Sequence, residues 1–398
     1  MAVSMLRPVG SRVPEPLADP SSMDFPWREH YRHEWTNSGT AALAMAIGLA
    51  MDARPVAGTP EVILPAYGCP DLVAAVLFHG ARPVLVDLAA NSPHMDTQAL
   101  EEALGANTVA VVAVSFLGLG ENLAALRERL RASAIWLIED SAQAFPPASA
   151  EHGMSDCCVL SFGRGKPINL MGGGALLIHK DHSARARALH ARYPEGENGR
   201  LDGRWHVRRQ VFNLLLTPPL YGLLLRFPFL GIGATRFRPL EQVSRERPVE
   251  AAFWGGVAEY GTRPDWAPVY RRELKQAGLS GWVDLTEGRW PDKQPDGENV
   301  MRGQLLRYPV LAPDRQRRDQ AIAALNRAGF GANAFYNEPL PAIEGLEQVF
   351  GVPPGHFPNA CNFAERLITL PSHHDVRERD VQRIVAIISS ANANGRHK

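Results

Sequence analysis

The residue types that could do chemistry gather around Lys166. It lies in a bend, SFGRGKPINLMGGG (161–174), between two strand-like apolar runs, Val159 to Phe162 and Ala175 to Ile178. A loop lysine ordinarily faces water. Three successive glycines, Gly172 to Gly174, are costly in backbone entropy and make sense where a ligand or another backbone comes close. Asp140 closes the apolar run IWLIED and emerges at a strand end, where a buried carboxylate needs a cation or a hydrogen-bonding partner. Ser38 and Gly39 precede a run of strong helix formers, which fits an ordinary serine cap or an anion site at a helix amino terminus. Pyridoxal phosphate needs three such groups: an amine for a Schiff base, a carboxylate against its ring nitrogen, and phosphate donors at a helix start. Lys166, Asp140 and Gly39 to Thr40 are the candidates in that order. A generic phosphate-binding α/β domain would also account for the last.

The elements that must position these groups alternate. Strand-like runs at 61–67, 83–88, 108–118 and 135–140 take turns with helical runs at 70–79, 97–104 and 121–132. The strands lack clean polar alternation, as expected when both sheet faces are covered, so the fold class is α/β with a mostly parallel sheet flanked by helices. Ligands in such sheets sit at the carboxyl ends of the strands. Asp87, Glu139, Asp140 and the Lys166 loop all fall there. After the hinge-like GTRPDWAPVY the pattern changes to strand 305–311, helix 314–328, a short strand near 332–336 and a last amphipathic helix that Asp375 would cap. This reads as a smaller α+β domain. The expected division is a flexible tail over 1–25, a large domain over 26–264 and a small carboxyl-terminal domain over 265–398.

Composition limits the function classes. Apolar residues make up 45% and charged residues 21% of the 398, an ordinary globular balance that excludes disorder. Forty-two Lys plus Arg balance 42 Asp plus Glu, so no net field draws the molecule to nucleic acid. Four cysteines without metal spacing, and no continuous apolar core in the first residues, point to a reducing, cytoplasmic setting and to no metal site. The stretch 211–233, VFNLLLTPPLYGLLLRFPFLGIG, is strongly apolar yet broken by Pro218, Pro219, Pro228 and Arg226, which argues against a membrane span. It reads as a helical excursion packed on the body or at a subunit interface, with an acyl-binding or membrane-surface patch as the other reading.

The order GTAAL (39–43), EVILPAY (61–67), GARPVLVDL (80–88), EDSAQA (139–144), SFGRGK (161–166), GGGALL (172–177), YNEPL (336–340) and AERLITLPSH (364–373) resembles the DegT/DnrJ/EryC1/StrS aminotransferases over roughly residues 36–390. These are fold-type-I pyridoxal-phosphate enzymes acting mostly on nucleotide-linked keto-sugars. The resemblance implies that Lys166 is the Schiff-base lysine and proton shuttle. Asp140 would hold the pyridinium proton, Gln143 would contact the ring or its 3-oxygen, and Gly39, Thr40 and Ser161 would hold the phosphate. It also implies a homodimer that moves an amino group from a donor such as glutamate to a small-molecule keto-sugar nucleotide. Three departures stand out. Cys69 replaces the aromatic that stacks on the ring, VSRERPVEAA (243–252) keeps Arg245 but lacks the partner-directed asparagine, and Pro341 follows Leu340 where the family has histidine. They leave open a hydrophobic or lipid-linked carbonyl substrate, and a family member that binds or regulates without turnover.

Overall fold

The computed structural model describes residues 5–21, 23–225, 235–288 and 303–394. The large domain runs β1 (Tyr31–Thr36), α1 (Gly39–Ala53), β2 (Glu61–Pro65), α2 (Asp71–Leu77), β3 (Arg82–Val86), α3 (Thr97–Ala103), β4 (Thr108–Val114), α4 (Leu123–Leu130), β5 (Trp136–Asp140), β6 (Cys157–Ser161) and β7 (Gly174–His179). Four helices follow: α5 (Ser183–Arg192), α6 (Gly203–Leu215), α7 (Pro218–Leu224) and α8 (Glu250–Gly261). The small domain holds α9 (Ala267–Ala277), β8 (Val283–Asp284), β9 (Arg307–Leu311), α10 (Arg315–Arg327), α11 (Glu347–Phe350), α12 (Pro358–Arg366), β10 (Leu367–Pro371) and α13 (Glu378–Asn394).

Seven strands form one sheet in the order β1-β7-β6-β5-β4-β2-β3. Neighbours from β6 to β3 are parallel, and β7 runs against both β6 and β1. The mostly parallel α/β reading is therefore correct. Strands β2, β4 and β5 are buried at every position, which is why their sequences show no alternation. Helix α1 is nearly all buried, from Ala41 to Ala50, because its small residues let it lie close on the sheet. A second, antiparallel sheet, β10-β9-β8, packs with α9, α10 and α13 around Tyr270, Tyr308, Leu325 and Ile384.

Several expectations are corrected. Met5, Arg7 and Val13 are buried, so the first residues of the described chain are a strap and not a loose tail. Leu6 N donates to Gly329 O (2.8 Å), Gly331 N donates back to Leu6 O (2.8 Å), and Leu17 N donates to Ala251 O (2.8 Å). Asp375 does not cap the last helix; it accepts an ion pair from Arg7 and another from Arg12 at 3.2 Å. Residues 332–336 are no strand and contribute one isolated bridge, Asn333 to Thr369. The apolar stretch 211–233 lies on α6 and α7, with its end, 226–233, outside the described residues. Val207 (59% exposed), Val211 (51%) and Leu214 (58%) leave an apolar stripe on α6 facing out. No helix among the described residues is long and apolar enough to cross a membrane.

Candidate active site

Parallel strands carry their carboxyl ends to one edge, and the site is built there. Asp140 ends β5 and pairs in register with Val159 of β6, two residues before Ser161 ends that strand. The amino terminus of α1 meets the same edge. A Cβ on Gly39 would lie 2.6 Å from Ser161 Cβ, and one on Gly174 would lie 2.6 Å from the Ser38 carbonyl carbon, so both glycines permit approaches no other residue allows. Ser38 is an N-cap, its Oγ accepting from Ala41 N at 3.0 Å. The loop after β6 folds back on Phe162, whose carbonyl accepts from Leu170 N at 2.8 Å, and carries Lys166 over the edge.

Gly39, Thr40, Asp140, Gln143, Ser161 and Lys166 all line one cleft. Asp140 is 8% exposed; its Oδ1 accepts from Ala142 N at 2.9 Å and its other oxygen takes no hydrogen bond among the described residues. Burial raises its pKa above the ordinary carboxylate value, with the Lys166 charge pulling the other way. The Lys166 amine itself has no hydrogen bond or ion pair among the described residues. Gln143 Oε1 accepts from Leu117 N (2.9 Å), and its Nε2 donates to the Tyr336 hydroxyl (3.2 Å), so a small-domain residue orients it.

Two further residues were not singled out by sequence reasoning. Tyr336, present in YNEPL, also lies beside the Cys69 thiol, whose pKa burial pushes up to about 12. Asp71, the first residue of α2, accepts from Thr40 Oγ1 at 3.2 Å and places a carboxylate beside the helix start. An acid two residues after Cys69, at a helix amino terminus next to the motif, was the available signal. The cleft has no aromatic lining among the described residues, so Cys69 and Leu72 take the wall where the related enzymes place a ring.

The arrangement fits pyridoxal phosphate. A buried acid with an idle oxygen matches a protonated ring nitrogen, a lysine without a fixed partner matches an aldehyde carbon, and the α1 amino terminus, brought against the Ser161 hydroxyl by the missing side chain of Gly39, matches a phosphate. Asp71 is the one group against the fit, since Thr40 must leave it to face a phosphate.

Comparison with known proteins agrees. The family model of the DegT/DnrJ/EryC1/StrS aminotransferases matches residues 34–206 and 260–389. A dTDP-3-amino-3,4,6-trideoxy-alpha-D-glucose transaminase of Micromonospora megalomicea subsp. nigra is 27% identical over 360 residues, 86% of this chain and 83% of its own. A UDP-2-acetamido-2-deoxy-3-oxo-D-glucuronate aminotransferase of Pseudomonas aeruginosa is 30% identical over 258 residues, 61% of this chain and 68% of its own. Among solved structures, Spr1654 of Streptococcus pneumoniae in its PLP form superposes with a TM-score of 0.62 at 18% identity, covering 92% of this chain and 88% of that one. The chain belongs to the DegT/DnrJ/EryC1/StrS aminotransferase family and is a pyridoxal-phosphate-dependent aminotransferase.

Proposed function

We propose that the protein transfers an amino group from an amino-acid donor, glutamate, to the keto group of a nucleotide-linked sugar, working as a homodimer with Lys166 as its catalytic base. The observation that carries this reading is the Lys166 amine, free of any fixed partner, in the same cleft as the buried Asp140. When bound, pyridoxal phosphate supplies an electron-withdrawing ring that lets a proton leave the carbon bearing the amine. Asp140 would hold a proton on the ring nitrogen, and its burial would strengthen that interaction by excluding water. Gln143, fixed by Leu117 N and the Tyr336 hydroxyl, would contact the ring or its 3-oxygen. Gly39, Thr40 and Ser161 would hold the phosphate. Lys166 would act as the base that moves a proton at the substrate carbon. The sugar-nucleotide assignment draws on the two relatives above, both named for transamination of nucleotide sugars.

The test is mass spectrometry of the borohydride-treated holoenzyme. A reduced pyridoxyl adduct on Lys166 is expected, and an adduct on another lysine overturns the assignment. Loss of the bound cofactor's visible absorbance on adding glutamate tests the donor, and light scattering on the purified protein tests the homodimer.

A second reading, a hydrophobic or lipid-linked acceptor, is favoured by one observation. Beside its apolar stripe α6 carries Arg204 and Arg208, and no acid occurs from 203 to 225, a composition suited to an anionic lipid surface. Sedimentation with anionic vesicles, absent after Val211→Ser and Leu214→Ser, would support it.

A further inference from the structure

The amine of Lys166 has no fixed partner among the described residues, so its place in the cleft is set by the backbone beneath it. That backbone has little local support. Lys166 N reaches Gly163 O only at 3.3 Å, and Gly165 before it holds a left-handed φ of 75°. What fixes the loop comes from distant parts of the chain. A Cβ on Gly165 would lie 3.3 Å from Val9 Cγ1, so the amino-terminal strap packs against the residue before the lysine. Ser11, 7% exposed, meets the residue after it, its Oγ donating to Pro167 O at 2.8 Å. Two residues further on, buried Asn169 donates from Nδ2 to Ser11 O at 2.9 Å, and its Oδ1 accepts from Met171 N at 2.9 Å.

Arg263, just beyond α8, completes the arrangement. Its Nη2 donates to Ser11 Oγ at 2.8 Å and to Pro167 O at 3.2 Å, and its guanidinium lies over the Tyr260 ring at 5.0 Å. Burial lowers its pKa, yet it makes no ion pair among the described residues. A cation drawn out of water is ordinarily matched by a carboxylate, as Arg7 is by Asp375. Arg263 instead directs its charge at a serine hydroxyl and at the backbone carbonyl one residue from Lys166. The hydroxyl accepts from the guanidinium and donates to the carbonyl, so each hydrogen bond polarises and strengthens the next. Neither residue lines the cleft, and Ser11 lies outside the residues that match the family model.

We propose that Ser11 and Arg263 are positioning residues for the transamination: through the Pro167 carbonyl they fix the backbone beside Lys166, and with it where the amine stands in the cleft. The assignment rests on the reading of Lys166 as the group that acts at the cofactor. A reacting group displaced by about 1 Å loses rate on the order of 100-fold, so a hold on this one carbonyl matters to the chemistry well beyond its share of the fold's stability.

Spectrophotometric pH titration of the full-length holoenzyme reads the lysine's setting without turnover, from the pH at which the visible band of bound pyridoxal phosphate is half converted. The proton that governs this band is held more or less tightly as the amine is set nearer to the cofactor or farther from it. Ser11→Ala and Arg263→Gln are each expected to move the half-point by about 0.5 pH unit or more, and Ser11→Thr, which keeps the hydroxyl, to leave it at the parent value. Asn213→Ala removes the two hydrogen bonds from α6 to Val13 of the strap, both 2.8 Å, and is the structural control, expected to keep the parent half-point. An unchanged half-point in Ser11→Ala, a shift in Ser11→Thr as large as in Ser11→Ala, or an equal shift in Asn213→Ala overturns the proposal. An unchanged half-point in folded Arg263→Gln overturns it as well; if that variant shows no cooperative urea transition, Ser11→Ala decides alone. A parent protein without a visible band on adding pyridoxal phosphate, or with its borohydride adduct away from Lys166, sinks the reading of Lys166 itself, whereas a normal parent with unmoved variants sinks only the positioning role.

Discussion

Glu139 and Asp140 are consecutive residues of β5, almost equally hidden at 1% and 8% exposure, and they are treated in opposite ways. Alternation along a strand sends them to opposite faces of the sheet. Glu139 accepts from Ser141 Oγ (2.5 Å), Ala148 N (2.7 Å) and Ser149 N (2.9 Å), with the Cys158 thiol at 3.7 Å. Among the described residues, Asp140 accepts from Ala142 N alone. One carboxylate is a knot that ties a loop to the sheet, and the other is held open. The lesson is that burial does not separate structural from functional charge in this protein, whereas the number of committed partners does. Arg7, paired with Asp375, and Arg307, buried beside Asn333 and Thr369 with no carboxylate partner among the described residues, differ in the same way with the sign reversed.

That contrast can be broken from either side. The largest effect is expected at the open face: Lys166→Ala should cut transamination by more than about 1,000-fold while the urea midpoint stays put, checked by single-turnover absorbance and denaturation of the same sample. On the closed face, Glu139→Ala leaves several buried donors without an acceptor and should cost about 4 kcal/mol of unfolding free energy. Equal midpoints for Glu139→Ala and the parent would end the distinction.

Asp140→Asn sharpens it through pH. The folded-state pKa of Asp140 is raised, so the folded apoprotein holds that proton more tightly than the unfolded chain. Its stability is therefore greatest below the unfolded value of about 3.9 and declines as pH rises toward the raised folded value. Removing the charge should make apo Asp140→Asn more stable than the parent by about 1 kcal/mol at pH 8, with the gap closing by pH 3, even as cofactor-dependent activity collapses. Urea unfolding of both proteins across that range decides. The smallest effect concerns Asp71. Asp71→Asn frees Thr40 from a carboxylate and removes a negative charge beside the phosphate cradle, and should tighten pyridoxal phosphate by roughly 5-fold in an absorbance titration, worth about 1 kcal/mol.

Much of the large domain was legible because its information is local and repeated. Strands β2, β4 and β5 are short apolar runs, and the helices between them carry their own caps: Asp96 accepts from Ala99 N and Asn122 from Ala125 N. Residues at strand ends inherit their place from that regularity, which is how Asp140, Ser161 and Lys166 could be brought together on paper. What escaped depends on distant partners. YRHEWT has no strand signature and becomes β1 because six of its residues pair with β7. Helix α9 hid behind Pro264 and Pro268, although proline is favoured in a first helical turn. Arg307 interrupts the apolar LLRYPVL and could have been flagged by that alone, but its lack of a counter-charge exists only in three dimensions. The strap at the amino terminus reads as a tail because its prolines and polar residues break any pattern, while Arg7 and Ser11 find partners more than 150 positions away.

The strap joins two parts of the chain that are far apart in sequence. Leu6 is stitched to Gly329 and Gly331 of the small domain, and Ser11 holds Pro167 O at 2.8 Å and takes a hydrogen bond from Asn169 Nδ2 at 2.9 Å, on either side of the turn that follows Lys166. One short segment thus bridges Gly329 and Gly331 on one side and, on the other, Pro167, the residue next to the reactive amine, so the placement of the lysine loop is built partly from the amino terminus.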